Sequence, residues 1–182
     1  MSIWGGITGG LLGFVVLGPI GALVGSVIGS NISSRSKRRR PNNFDQQVAF
    51  FAALFACLAK IAKADGRVDE AEIKKIEEII SSKLNLNKEH RHFAINIFQK
   101  AKDDDVSFEA YASNLYQVLS SSPNSLLVFY EMLFELALSD GILHPNEDKL
   151  LKQIPRIFRF DENVYKSLYE KFVDKTKDYF KT

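Results

Sequence analysis

The sequence predicts an all-α protein, in which an N-terminal glycine-rich transmembrane helix precedes a bundle of roughly seven helices with an internal two-fold repeat. No charged side chain occurs before Arg35, and nine of the 11 glycines lie within the first 29 residues. Beyond residue 43 the apolar residues recur at helical spacing, and no stretch alternates for long enough to indicate a strand. The 182 residues therefore divide into a transmembrane segment (1–34), a basic juxtamembrane linker (35–43) and a helical domain (44–182).

The apolar run over residues 3–32 contains thirty residues without a charge, whereas about 20 suffice to cross a membrane. A secretory signal peptide would place positive charge before such a run, but here the positive charge follows it, so we do not expect cleavage. Gly18 and Pro19 divide the run, which is either one kinked helix or a hairpin of two arms. Each arm would hold about 14 residues and measure about 21 Å, too short to cross alone, which favours a single kinked span.

A basic cluster directly follows the apolar run and carries a charge of +5. Basic residues that flank a span stay on the cytoplasmic side, so we expect a short N-terminus outside and the helical domain in the cytoplasm. They also attract anionic lipid headgroups, at about 1 kcal/mol each. Residues 41–182 carry a net charge of −3, so the overall charge does not indicate a nucleic-acid partner. The five basic residues are Arg35, Lys37, Arg38, Arg39 and Arg40.

The glycines of the apolar run form two rows with four-residue spacing. On a helix this spacing places each row on one face, where a second helix can approach closely enough for van der Waals packing. The rows therefore predict self-association in the membrane, although glycine is frequent in transmembrane helices in any case. The first row is Gly5, Gly9 and Gly13, and the second is Gly21, Gly25 and Gly29.

Seven helices are predicted after residue 43 from apolar residues that recur every three or four positions. Their starts coincide with typical helix-start residues such as Ser107, Pro123, Pro145 and Asp161. The connections between them are short, as in a compact bundle. The predicted apolar faces cover residues 51–61, 73–84, 93–101, 108–118, 126–137, 150–158 and 164–172.

The helical domain contains an internal repeat, in which residues 58–76 align with residues 133–151 at a constant offset of 75. Both copies have the pattern Ala-x-x-Asp-Gly-x-apolar-x-x-x-Glu, which predicts two helices joined by a tight turn. The glycine can adopt the left-handed conformation that ends the first helix. The glutamate can complete a capping box at the start of the second, with Asp69 as the N-cap in the first copy and His144 in the second.

The acidic residues of the two junctions are the candidates for a divalent metal site, and no other cofactor is predicted. Each junction partly matches an EF-hand loop, but Ile61 and Lys63 in the first copy, like Leu136 and Leu138 in the second, occupy positions that need oxygen ligands. Capping carboxylates explain the same residues without a metal. The four candidates are Asp65, Glu72, Asp140 and Glu147.

The remaining reactive residue types do not indicate an enzyme. His90 and His92 lie two positions apart, so a helix would turn them to different faces, and they are expected on the surface. Cys57, the one cysteine, lies beside an apolar face and is expected to be a buried, inert thiol. The acidic run 103–105 is expected to form a solvated loop. No nucleophile has an adjacent base, and no glycine-rich phosphate loop follows residue 43.

Four segments together resemble the N-terminal part of the DjlA-type co-chaperones, which are membrane-anchored DnaJ-like proteins. This resemblance covers essentially the whole chain and implies a TerB-type helical domain, of the tellurite-resistance family, anchored in the bacterial inner membrane. The Asp-Gly and Glu pattern by itself identifies only the broader TerB-like group. The carrying segments are SIWGG (2–6), AFFAALF (49–55), GRVDEAEI (66–73) and DGILHPNE (140–147).

The sequence departs from these co-chaperones in one respect. The family resemblance implies a C-terminal J domain whose His-Pro-Asp loop stimulates an Hsp70 partner, whereas residues 144–146 are His-Pro-Asn and start a TerB-type helix. An Hsp70 partner is therefore expected only if a J domain exists outside this chain. We expect a non-enzymatic module that localises, regulates and dimerises. The alternatives are a metal-responsive or tellurite-stress protein and a membrane scaffold without a chaperone role.

Overall fold

The computed structural model describes residues 18–28, 43–64, 73–74, 77, 86, 88–138 and 141–179. All regular structure in these ranges is helical, which confirms the all-α prediction. In chain order the described helices are α1 (Pro19–Ile28), α2 (Asn43–Lys63), α3 (Lys88–Asp103), α4 (Phe108–Leu119), α5 (Pro123–Ala137), α6 (Pro145–Leu151), α7 (Ile154–Phe158) and α8 (Asn163–Tyr179).

Helix α2 is the centre of the bundle and contacts α1, α3, α4, α5 and α6. Side chains on all its faces are buried, as expected for a helix that is apolar all round. Residues 46–63 are long and apolar enough to cross a membrane, but 61% of them are buried inside the protein. This burial is typical of the core helix of a soluble domain. Small side chains let the neighbouring helices approach closely, and the buried alanines are Ala49, Ala52, Ala53, Ala56 and Ala59.

Several helix starts lie where the local sequence predicts them. The Ser107 hydroxyl accepts a hydrogen bond of 3.1 Å from the Ala110 N–H at the start of α4. The Asp161 carboxylate accepts one of 2.8 Å from the Asn163 N–H before α8. Pro123 is the first residue of α5. These contacts satisfy N–H groups that have no partner within their own helix, so the predicted starts are confirmed.

The prediction of one helix over residues 150–158 is wrong, because the chain forms the two short helices α6 and α7 there. Pro155 has no N–H to donate to the carbonyl of Leu151, and its ring would crowd that carbonyl in a continuous helix. The Leu151 carbonyl instead accepts a hydrogen bond of 2.8 Å from the buried Tyr130 hydroxyl. The break between α6 and α7 thus frees the Leu151 carbonyl to accept the hydrogen bond that the buried Tyr130 hydroxyl requires.

The second helix junction of the repeat has the predicted geometry. Gly141 has a φ of +87°, and its N–H bonds to the Leu138 carbonyl at 2.9 Å after the end of α5. A left-handed residue at this position is typical of a helix C-terminus, and glycine adopts it without a steric penalty. The first junction, residues 65–72, lies outside the described residues, as does most of the helix predicted over 73–84. The internal repeat therefore stays a prediction.

The expectation that both histidines lie on the surface is wrong for His90. His92 is exposed, but His90 is 5% exposed and begins the buried face of α3. Phe93, Ala94 and Ile97 continue this face at intervals of three, four and seven residues from His90, which is the spacing of one helical stripe. The apolar periodicity, extended one turn towards the N-terminus, would have placed His90 in the core.

Candidate anchor and interaction site

Helix α1 belongs to the segment that composition places in the membrane, and in the structure it packs on the helical bundle. It contacts α2, α3 and α4. Ile20, Leu23 and Val24 are at most 5% exposed. Burying an aliphatic side chain of this size contributes about 1.5–3 kcal/mol. The three side chains therefore account for a substantial part of the attachment.

The N-terminus of α1 is capped by a side chain from α4. Gly18 is the last residue before the helix and has no side chain to cap it, but the buried Asn114 amide oxygen accepts the Ile20 N–H at 3.0 Å. Gly18 has a φ of +98°, a conformation that other residues rarely adopt. A Cβ atom at this position would lie 2.9 Å from the Asn114 amide. Glycine is thus required twice, for the backbone angle and for the approach of Asn114.

The C-terminal turn of α1 is held by α3, because the Lys100 ammonium donates to the Ser26 carbonyl at 2.9 Å. Carbonyls near a helix end lack intrahelical partners and favour a positive charge. A groove of about 660 Å³ runs beside this contact, lined among others by Ala22, Ser26, Asp103 and Tyr111. The surface of α2, α3 and α4 that contacts α1, which we call the seat of α1, therefore combines buried apolar side chains with polar contacts at both ends of the helix.

Of the predicted glycine rows, the structure describes Gly21 and Gly25. A Cβ atom at Gly25 would meet nothing within 4 Å, so this position lies on the open side of α1. The other members, Gly5, Gly9, Gly13 and Gly29, lie outside the described residues, as do the five basic residues Arg35, Lys37, Arg38, Arg39 and Arg40. The helix begins at Pro19 and does not run through Gly18. Residues before 18 are also outside the described part, so the single kinked span stays a prediction.

The candidate metal ligands are not brought together in the described part of the chain. Asp65, Glu72 and Asp140 lie outside the described residues. Glu147 caps α6, where its carboxylate accepts the His144 N–H at 3.0 Å, as the capping-box interpretation predicts. Within the described ranges, no group of three or more His, Cys, Asp or Glu side chains could hold a metal ion.

A cluster around Asp104 joins α2 to the turn between α3 and α4, and the sequence did not predict it. The Lys60 ammonium lies 2.7 Å from the Asp104 carboxylate and 2.8 Å from its backbone carbonyl. The same carboxylate accepts the Val106 N–H at 3.0 Å and the Tyr111 hydroxyl. Burial, together with the hydrogen bond to Asp104, raises the pKa of Tyr111 above its ordinary value. Asp103 and Asp105 are exposed as expected, but Asp104 is a structural ion-pair partner.

A sequence signal for this cluster existed in α2. Lys60 is a lone charge within the apolar run from Phe50 to Ala62, and a lysine on a buried helix needs a partner of opposite charge. The other reactive group in α2 is Cys57, which is buried as predicted. Burial raises the pKa of its thiol well above the ordinary range, so the thiol stays protonated and a poor nucleophile.

The fold that contains these contacts matches a known family. Residues 51–169, more than half of the chain, match the family model described as tellurite resistance protein TerB. The chain belongs to the TerB family. The match begins in α2 and ends in α8, so the bundle is the TerB domain, as the sequence resemblance implied. Residues 1–39 match the model described as the co-chaperone DjlA transmembrane domain, which supports a membrane-anchored TerB protein.

The relatives of this TerB protein are named Co-chaperone protein DjlA. The relative from Photobacterium profundum is 33% identical over 88% of this chain and 62% of its own length. The one from Coxiella burnetii is 29% identical over 93% of this chain and 67% of its own length. The Escherichia coli K12 relative is 28% identical over 83% and 57%. The chain thus spans about 60% of the length of these relatives, whose names describe co-chaperones and not enzymes. No solved structure matches it.

Proposed function

We propose that this TerB protein is the membrane-anchored, cytoplasm-facing regulatory and interaction part of a DjlA-like co-chaperone. The observation that carries the proposal is the co-occurrence, in one chain, of a match to the DjlA transmembrane domain and a match to TerB. Proteins named as DjlA co-chaperones also match 83–93% of the chain. The structure contributes an all-helical domain packed around one apolar core.

The proposed location is the bacterial inner membrane, with a single span, a short N-terminus outside and the TerB domain in the cytoplasm. The basic cluster behind the apolar run supports this orientation. A C-terminal green fluorescent protein fusion should fluoresce, and a C-terminal alkaline phosphatase fusion should be inactive, because these reporters function on opposite sides of the membrane. Active alkaline phosphatase at the C-terminus would refute the proposed orientation.

The proposed role of the glycine rows is to pair two spans, which raises the local concentration of whatever the TerB domain binds. The open side of α1 at Gly25 is compatible with a second helix there. When Gly21, Gly25 and Gly29 are changed to leucine, most of the crosslinked dimer should disappear in an in-membrane crosslinking assay. Val27→Leu is the control, because position 27 lies on the opposite side of the helix from this row. An unchanged dimer yield in the triple variant would refute pairing through the second row.

We propose a link to Hsp70 only through a J domain outside these 182 residues, and if one exists this chain localises its activity. In an assay of Hsp70 ATPase activity, the 182-residue chain is expected to give no stimulation, since its sequence contains no His-Pro-Asp tripeptide. Stimulation by the chain itself would refute the assignment of these residues to anchoring and interaction. If no longer form of the gene product retains Hsp70 in a pull-down, a membrane scaffold without a chaperone role replaces the proposal.

A metal-responsive function is the second candidate, and the description of the matched family as a tellurite resistance protein favours it. It would use the carboxylates of Asp65, Glu72, Asp140 and Glu147. The last of these is already bonded to a backbone N–H as a helix cap, which argues against its use as a metal ligand. Titration calorimetry with metal ions separates the two functions.

A further inference from the structure

Helix α1 lies in an apolar segment that can enter a bilayer, yet the structure seats it on the TerB domain. We propose that the surface formed by α2, α3 and α4 is a specific binding site for residues 18–28 of the same chain. The anchor then has two alternative positions, inserted in the bilayer or docked on the domain. This inference rests on the proposed membrane anchoring.

The site recognises the two ends of the helix through polar groups that the domain supplies. The Asn114 amide accepts the Ile20 N–H at the N-terminus, and the Lys100 ammonium donates to the Ser26 carbonyl at the other end. Helix ends expose unpaired N–H and C=O groups, so these two contacts select a helix of one length and direction. Asn114 is 4% exposed, so its amide reaches α1 from within the core.

The two sides of α1 match a position between the domain and water. Ile20, Leu23 and Val24 face the domain at helical spacing and are buried. The outward positions hold small residues, because Ala22 and Ser26 are exposed and Gly25 borders open space. The docked helix therefore covers the aliphatic side chains of Ile20, Leu23 and Val24, and the described outward positions expose little apolar area. A transmembrane helix that contacted only lipid would not need large aliphatic residues on one side and small residues on the other.

Docking and spanning exclude one another by length. If residues 18–28 lie on the domain, the apolar run retains residues 3–17 on the N-terminal side. A helix of that length measures about 22 Å, which is less than the hydrocarbon core of about 30 Å. The seat itself carries the charged side chains of Lys100, Asp103 and Asp104 beside the helix, and these cannot enter the hydrocarbon region at low cost. A docked anchor is therefore outside the bilayer core.

The accessibility of position 22 to a water-soluble reagent distinguishes the two positions. We would place the only cysteine there, as Ala22→Cys in a Cys57→Ala background, and reconstitute the full chain in liposomes permeable to a polar maleimide. The thiol is exposed to water when α1 is docked and lies in hydrocarbon when the span is inserted. Carbonate extraction and circular dichroism on the same samples report membrane anchoring and folding separately.

Gly18→Ala and Gly25→Ala form a matched pair, since each adds one methyl group to the span. Alanine at 18 must adopt a left-handed conformation and clashes with Asn114, so the docking equilibrium should weaken about five- to thirtyfold. Alanine at 25 meets open space on the docked helix, and labelling at a protein-to-lipid ratio too low for pairing removes any effect of this change on the glycine row. We therefore expect maleimide labelling in the parent protein and in Gly25→Ala, and reduced labelling in Gly18→Ala.

Two results would overturn the docking site while leaving the anchor intact. One is the absence of labelling at position 22 in every variant although the chain resists carbonate extraction, which means that the helix never leaves the bilayer. The other is equal labelling of Gly18→Ala and Gly25→Ala. Release of Gly18→Ala by carbonate, although docking is weakened in this variant, would instead refute the membrane anchoring on which both proposals depend.

Discussion

The cluster around Asp104 links the central helix to the turn between α3 and α4, and its contribution to stability can be measured. Asp104→Ala removes the carboxylate that bonds to the Lys60 ammonium at 2.7 Å, to the Val106 N–H at 3.0 Å and to the Tyr111 hydroxyl. A hydrogen bond to a charged group contributes about 1.5–3 kcal/mol, and a neutral one about 0.5–1.5 kcal/mol.

The sum of these free-energy contributions would exceed the stability that Asp104→Ala actually removes. Lys60 keeps its bond to the backbone carbonyl of residue 104 at 2.8 Å. The Asp104 side chain is 28% exposed, so water can replace part of what is removed. We therefore expect the free energy of unfolding to fall by about 2–3 kcal/mol. For a protein of this size, the melting temperature should fall by about 5–10 °C.

Urea unfolding of the full chain in a mild detergent, followed by circular dichroism, measures this change. Asp103→Ala is the matched control: the neighbouring side chain is 73% exposed and lies 3.6 Å from the Lys102 ammonium, so its loss should cost less than about 0.5 kcal/mol. Asp104→Asn should fall between the two, because an amide keeps one acceptor oxygen. Equal unfolding free energies for the two alanine variants would refute the assignment of Asp104 as a structural partner.

Two further predictions concern alkaline pH and metal ions. Burial is the main cause that raises the pKa of Tyr111, Tyr130 and Tyr165 above the ordinary value of 10.0. The unfolded chain then loses these protons first, so the contribution of these three tyrosines to stability should be complete below about pH 10 and fall as the pH rises further. Phenolate absorbance of these three residues should appear together with unfolding, and their ionisation in the folded chain would contradict this. In calorimetry with calcium, magnesium or zinc we expect no saturable heat, and a heat lost in the Asp65→Asn, Asp140→Asn double variant would favour the metal-responsive function.

Much of the fold could be predicted because helix signals are local. Apolar spacing located α2 to α5 and α8, and Ser107 and Asp161 marked helix starts whose capping contacts the structure shows. The break between α6 and α7 was missed, although Pro155 is visible in the sequence. The apolar spacing places Leu150, Leu151, Ile154 and Phe158 on one face of a helix. This spacing takes no account of the backbone carbonyl that a proline leaves unpaired.

The sequence could predict that an apolar anchor exists, but it could not predict which residues of the domain contact it. Composition indicated an apolar anchor with glycine rows, and the match of residues 1–39 to a transmembrane domain supports that interpretation. The sequence did not indicate that Asn114 and Lys100 would hold the ends of α1. These residues lie 94 and 74 positions from their partners Ile20 and Ser26, and contacts of that range depend on how the helices pack.

The sequence by itself determined the helical class, the contrast in composition between an apolar N-terminal run and an acidic remainder, and several helix starts. Each of these follows from interactions between residues within a few turns of one another. Only the tertiary structure decided that Asp104 pairs with Lys60, that His90 is buried and that α1 has a seat on the domain. A side chain acquires such a partner when distant helices come together, because burial then requires each polar group to find a hydrogen-bond partner from another part of the chain.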